Sequence, residues 1–156
     1  VNWSESHSSV PIGLASFSSD SNTDWFVEGS SLVGISTGIR TSVNGWRASA
    51  AVGGTDLANE EPRVVAFGWW WGFEAPVGKS WSIAPDMGFV HLTTDEPEEG
   101  QDENRPAGQL RVLAEYRLGA RFAVYGGGGL SVELSRYGSD AESDVEGLGV
   151  LGVSLF

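Results

Sequence analysis

The sequence predicts an all-β fold, an eight-stranded antiparallel up-and-down transmembrane β-barrel, and three observations carry the prediction. Apolar and polar residues alternate at a period of two along most of the chain, the period of a strand with two unlike faces. Tight turns alternate with longer acidic connections. Aromatic residues gather on the apolar face beside the tight turns, where a bilayer, unlike a water-soluble core, has a use for them.

Bulk properties are compatible with this. A chain of 156 residues makes one domain, 1–156, with strands from about residue 9 and residues 1–8 as a lead-in. Mean hydropathy is −0.11. No apolar run approaches the roughly 20 residues of a membrane helix, a test nearly blind to barrels because their apolar residues alternate with polar ones. There is no Cys, hence neither disulfide nor thiolate chemistry. A net charge of −12 argues against nucleic acid as a partner. The chain begins at Val1 with no basic-plus-apolar leader, as expected of a mature exported chain or of a trimmed one.

Turn chemistry divides the chain into strands over about 9–18, 25–41, 46–56, 63–74, 80–93, 108–117, 121–135 and 145–156. The connections 42–45, 75–79 and 118–120 are tight, whereas 19–24, 57–62, 94–107 and 136–144 are longer and polar. Strand 25–41 places Trp25, Val27, Val33, Ile35 and Ile39 opposite Glu28, Ser30, Ser36 and Arg40. Strand 46–56 sets Trp46, Ala48, Ala50 and Val52 against Arg47, Ser49 and Thr55. In strand 63–74 three tryptophans are consecutive. Phe67, Trp69, Trp71 and Phe73 take one face, and Trp70 shares the other with Gly68, Gly72 and Glu74. A helix would scatter these residues, and its two glycines would weaken it. Strand 80–93 opposes Trp81, Ile83, Met87 and Phe89 to Ser82, Ala84, Asp86 and Gly88. Strand 108–117 opposes Leu110, Val112, Ala114 and Tyr116 to Gln109, Arg111, Glu115 and Arg117. Strand 121–135 opposes Phe122, Val124, Leu130, Val132 and Leu134 to Arg121, Tyr125, Ser131 and Glu133.

The second face thus collects Glu28, Glu74, Asp86, Glu115 and Glu133 with Arg40, Arg47, Arg111, Arg117 and Arg121. A soluble sandwich could leave such a face in water, but it has no reason to collect aromatics at one end. Trp46, Phe73, Trp81, Tyr116 and Phe122 all lie on the apolar face within a residue or two of a tight turn, and Phe156 lies at the C-terminus. Trp25, Phe67 and Phe89 sketch a second girdle at the loop end, with Trp69 and Trp71 also facing lipid. The charged face then lines a lumen that eight strands leave just wide enough for side chains to fill. Trp70 and Tyr125 are expected to occupy space left there by Gly68, Gly72, Gly127 and Gly129.

On these features the chain resembles the small eight-stranded outer-membrane β-barrels of Gram-negative-type bacteria, the OmpA/OmpX type. The resemblance runs from about residue 9 to Phe156 and rests on architecture and a C-terminal Phe. It implies an integral, multi-pass protein of the outer membrane with lipids and lipopolysaccharide as surroundings. It also implies contact with the barrel-assembly machinery during insertion, with Phe156 as the insertion signal. In the closing "VEGLGVLGVSLF", Gly152 and Ser154 stand where that family has larger apolar groups, and Val145, Leu151, Val153 and Leu155 make the other face the more apolar.

The expected role is structural, adhesive or a surface interaction, with no cofactor and no metal centre. The acidic stretch "DEPEEGQDEN", 95–104, is a candidate for divalent cations, although it lacks a calcium-loop spacing and suits a solvated loop. The resemblance also raises an alternative, a lipid A-modifying enzyme. "HLTTDE" offers His91, Thr93, Asp95 and Glu96, but Thr stands where a deacylase-like site wants Ser, and His7 has no supporting neighbours. A narrow ion channel is the third reading, opposed by the paired charges of the lumen. No enzyme activity is expected.

Overall fold

Residues 22–55, 64–94, 104–134 and 145–156 are described by the structure, a computed structural model. Within them run β1 (Asn22–Ser30), β2 (Gly34–Val43), β3 (Trp46–Gly54), β4 (Val64–Phe73), β5 (Ala75–Pro76), β6 (Trp81–Thr94), β7 (Asn104–Arg117), β8 (Phe122–Glu133) and β9 (Val145–Leu155). Each long strand pairs antiparallel with the next, β4 with β6 directly, and β1 pairs with β9. The sheet is therefore closed. The two-residue β5 continues the path of β4 along β6 beyond a break at Glu74, so the wall is eight-stranded.

The register is sheared around the wall. From Trp25, paired positions lead through Ile39, Ala50, Trp69, Phe89, Gly108 and Val132 to Val145 on β9. Trp25 itself faces Leu155, ten residues further along that strand. An eight-stranded wall with that offset tilts its strands by about 40° and encloses a space filled by side chains.

The long strand expected over 25–41 is two strands, β1 and β2, joined by a turn at Ser31–Val33. Three turn residues preserve the parity of the alternation, so Trp25 and Ile39 stay on one face and Glu28 and Arg40 on the other. The reversal is marked by Gly34, at φ 80°, a conformation glycine adopts without steric cost. It also moves Trp25 to the end of the barrel that holds the C-terminus, opposite Leu155 and across from Phe122, and not to the loop end. The expected strand 9–18 and lead-in 1–8 lie outside the described residues.

Asn44 (φ 52°) and Gly45 (φ 82°) form the two-residue turn between β2 and β3, the Asn-Gly pair whose twist matches the flanking strands. This end also carries the 74–80 and 118–121 connections, and it is here called the turn end. The turn at Ser31–Val33 lies at the opposite, loop end, where β3, β6 and β8 end and β4, β7 and β9 begin.

Alternation sorts every strand into an outward apolar row and an inward row of buried residues. On β9 the outward row is Val145, Leu151, Val153 and Leu155, and Gly152 and Ser154 face inward, so the more apolar side of the last strand is the outer one. Trp69 and Trp71 are 45% and 40% exposed, whereas Trp70 between them is 6% exposed.

Candidate functional site

The interior of the barrel is built in two layers. At the loop end Val33, Ala66, Val90, Leu92, Leu148 and Val150 pack together, with Leu32 and Val64 against them. The Ser31–Val33 turn is fixed there by Ser31 N–H donating to Gly149 O and Gly149 N–H donating back to Ser31 Oγ, both at 3.0 Å. It tucks Val33 inward, contrary to the lipid-facing position that strict alternation gives it.

Below this layer lies a network of buried charges. Arg111 Nη1 donates to Glu28 Oε1 and Nη2 to Asp86 Oδ2, each at 3.1 Å. Asp86 Oδ1 is 3.3 Å from Arg47 Nε. Arg40 Nη1 donates to Glu115 Oε2 at 2.7 Å and lies 3.5 Å from Asp24 Oδ2. Tyr125 Oη donates to Glu28 Oε2 at 3.2 Å, and Trp70 Nε1 donates to Gln109 Oε1 at 3.0 Å. Ring faces complete the coordination, with the Arg40 guanidinium 4.8 Å from the Tyr125 centroid and 5.3 Å from that of Phe26. Ionic groups in so dry a space are held by pairing and hydrogen bonds, and removing one partner strands the other.

Of the ten charges expected on this face, Glu28, Arg40, Arg47, Asp86, Arg111 and Glu115 are buried in the lumen. The other four are not. Glu74 and Arg117 approach to 3.8 Å at the turn end, where Arg117 is half exposed; Arg121 is exposed in the 118–121 turn; Glu133 pairs with Arg105 at 3.5 Å at the loop end. Parity assigns a side of the wall but not a depth, and near either mouth the inward face meets water. Asp24, placed by sequence in a connection, is the missed member, with Phe26 two residues on. The signal was available, since both share the parity of Glu28. Among the described residues the buried network therefore holds four carboxylates against three guanidinium groups instead of five against five.

The two large inward rings depend on small neighbours. A Cβ on Gly68 would run into the Trp70 indole, and one on Gly88 would meet it at 2.6 Å. Tyr125 lies over Gly152, its register partner on β9, and not over Gly127 or Gly129 as expected. A cavity of about 10 Å³ lies between the apolar layer and Glu28, Trp70 and Arg111, the least that holds one water.

On the outer wall Trp25, Trp46, Phe73, Trp81, Tyr116 and Phe122 ring the turn end, with Trp46 against Phe73 and Trp81 against Tyr116 at centroid distances of 6.0 and 4.8 Å. Phe67, Trp69, Phe89 and Trp71 form a continuous chain of ring contacts at 5.9–6.0 Å on β4 and β6. Phe156 continues the inward parity of β9 and lies under the Arg117 guanidinium at 4.9 Å, with its N–H donating to Arg121 O.

His91 and Thr93 face outward at the loop end. Both meet Asn104 Oδ1, Thr93 Oγ1 donating at 3.1 Å and His91 Nε2 standing at 3.3 Å. The hydroxyl is thus committed to an amide oxygen and not to the imidazole, which is the wrong partner for a base-activated nucleophile. Asp95, Glu96, His7 and most of the 95–104 stretch lie outside the described residues. Among the described residues no group of three or more His, Asp or Glu could hold a metal ion.

No family model and no curated protein matches the sequence. Among solved structures, the chain is similar to the N-terminal β-barrel domain of Pseudomonas aeruginosa OprF, at a TM-score of 0.60 and 11% identity over 86% of this chain and 96% of that one. Neisserial surface protein A (NspA) aligns at a TM-score of 0.48 and 11% identity, over 86% of this chain and 94% of its own. Closure, strand number and the likeness to the OprF domain together establish that the chain has the fold of the small eight-stranded outer-membrane β-barrels.

Proposed function

We propose that the chain is an integral outer-membrane barrel with a side-chain-filled lumen and a structural, adhesive or surface-interaction role. One observation carries this reading: the two faces are inverted relative to a water-soluble protein. Asp24, Glu28, Arg40, Arg47, Asp86, Arg111 and Glu115 are inside, while the described outer wall exposes a belt of Trp, Phe, Ile, Leu, Val and Met from both ends to the middle. Soluble monomers rarely expose a contiguous apolar patch beyond a few hundred Å². In a bilayer, closure satisfies every strand and the same belt meets its preferred solvent.

The filled lumen favours a scaffold over a pore, and the Thr93–Asn104–His91 arrangement favours a surface element over a hydrolase. The gel mobility of boiled and unboiled protein, refolded from denaturant into detergent, tests the reading. A closed membrane barrel resists unfolding until heated and shifts on boiling. A monomer that stays soluble without detergent and shows no shift would contradict it.

A further inference from the structure

The outer wall is uneven. Phe89 on β6 faces Gly108 on β7, and Gly108 faces Val132 on β8. With no side chain between these neighbours, Gly108 floors a groove of about 350 Å³ walled by Trp71, Met87, Phe89, Leu110, Leu130 and Val132. That is within the range of small-ligand sites, roughly 300–1,000 Å³. Among the described residues no atom beyond its chain neighbours comes within 4 Å of where a Cβ on Gly108 would stand, so they leave the hollow open.

Two to four residues further toward the loop end on both strands, the wall turns polar. His91 is opposite Pro106 and Thr93 opposite Asn104, which at the rise of a strand sets His91 about 7 Å beyond Phe89. Asn104 Oδ1 is occupied by Thr93 and His91, and its two amide N–H donors have no partner among the described residues. Arg105, the nearest cation along β7, turns inward to Glu133. The cluster is therefore suited to a carbonyl oxygen and not to a phosphate, which a chain of net charge −12 also repels.

We propose that this strip is a seat for one acyl chain of a membrane lipid, lying along Gly108 with its ester or amide carbonyl hydrogen-bonded at the His91–Thr93–Asn104 cluster. The proposal rests on the membrane reading above and adds a specific lipid contact to it. Lipid touches the whole belt, but here an open apolar groove lies next along the same two strands to a polar cluster whose amide donors have no partner among the described residues.

Native mass spectrometry of the full chain, refolded in detergent and titrated with 1-myristoyl-lysophosphatidylcholine, tests it. Gly108→Leu fills the hollow without a clash, and Gly147→Leu adds the same side chain at another open, outward glycine, on β9. The unmodified chain and Gly147→Leu are expected to retain one lipid at concentrations where Gly108→Leu retains at least tenfold less, and Asn104→Ala to retain several-fold less. Equal retention by Gly108→Leu and the unmodified chain would overturn the seat. Should Gly108→Leu not fold, intermolecular NOEs in the unmodified chain decide it: chain methylenes near the Met87 and Leu130 methyls support the seat, and equal contact with Leu151 and Val153 overturns it. Heat-shift assays on the same samples separate the two levels, because a missing shift in the unmodified chain removes the membrane reading itself, whereas a normal shift with undiscriminating retention removes only the seat.

Discussion

The guanidinium carbon of Arg111 lies 4.1 Å from the centroid of the Trp70 ring, in the middle of the barrel. The central tryptophan of three is thus the lid on a buried cation that also holds Glu28 and Asp86. Trp70→Ala removes this face and leaves a hollow against Gly68 and Gly88. It should cost about 3–5 kcal/mol, read as a lower urea midpoint for unfolding from vesicles. Trp69→Ala, whose hollow lipid can fill, should cost clearly less by the same measurement.

The arginines of the network differ in what they would strand. Arg111→Ala leaves Glu28 and Asp86 without their main partner and should lose about 3–5 kcal/mol. Among the described residues Arg47 makes one ion pair, and its Nε and Nη1 have no hydrogen-bond partner there, so Arg47→Ala should lose less, because Asp86 keeps Arg111. Arg117→Ala, at a half-exposed pair, should change stability by no more than about 1 kcal/mol. Equilibrium unfolding of the three variants should follow that order.

Gly152 exists for Tyr125. Gly152→Val pushes a branched side chain into the ring and should destabilise the barrel by about 1–3 kcal/mol, with part of the sample migrating as unfolded protein without boiling. Gly147→Val, outward on the same strand with open space around it, should leave the folded band intact.

Conduction should be nearly absent. The apolar layer around Val33, Val90 and Leu148 closes the loop end, and the void beneath it is about 10 Å³. In planar bilayers the refolded chain should be mostly silent, and Glu115→Ala, which deprives Arg40 of its 2.7 Å partner, should open more often. Large, steady currents from the unmodified chain would make a channel the leading function.

Fold class was readable from sequence because a period of two, turn signals and the placement of aromatics all report on the same wall. The turn at Ser31–Val33 was not, because three residues preserve parity and only Gly34 marks the reversal. That one misreading sent Trp25 to the wrong end and left Asp24 in a connection. Position along the axis was also hidden. Arg121 and Glu133 share the parity of Arg111, and only the tilt of the strands decides that they reach the mouths while Arg111 is sealed in. Nor could alternation foresee which glycine receives which ring, since Tyr125 meets Gly152 on the next strand and parity does not set that register.

The claim beneath all of this is that adjacent residues of one strand face lipid and a dry, charged lumen in turn. Three variants, each keeping a single tryptophan at position 69, 70 or 71 with the other six changed to Phe, put it to the test in vesicles of phosphatidylcholine brominated along the acyl chains. The account predicts strong quenching of Trp69 and Trp71 and little of Trp70. Equal quenching of all three would contradict it.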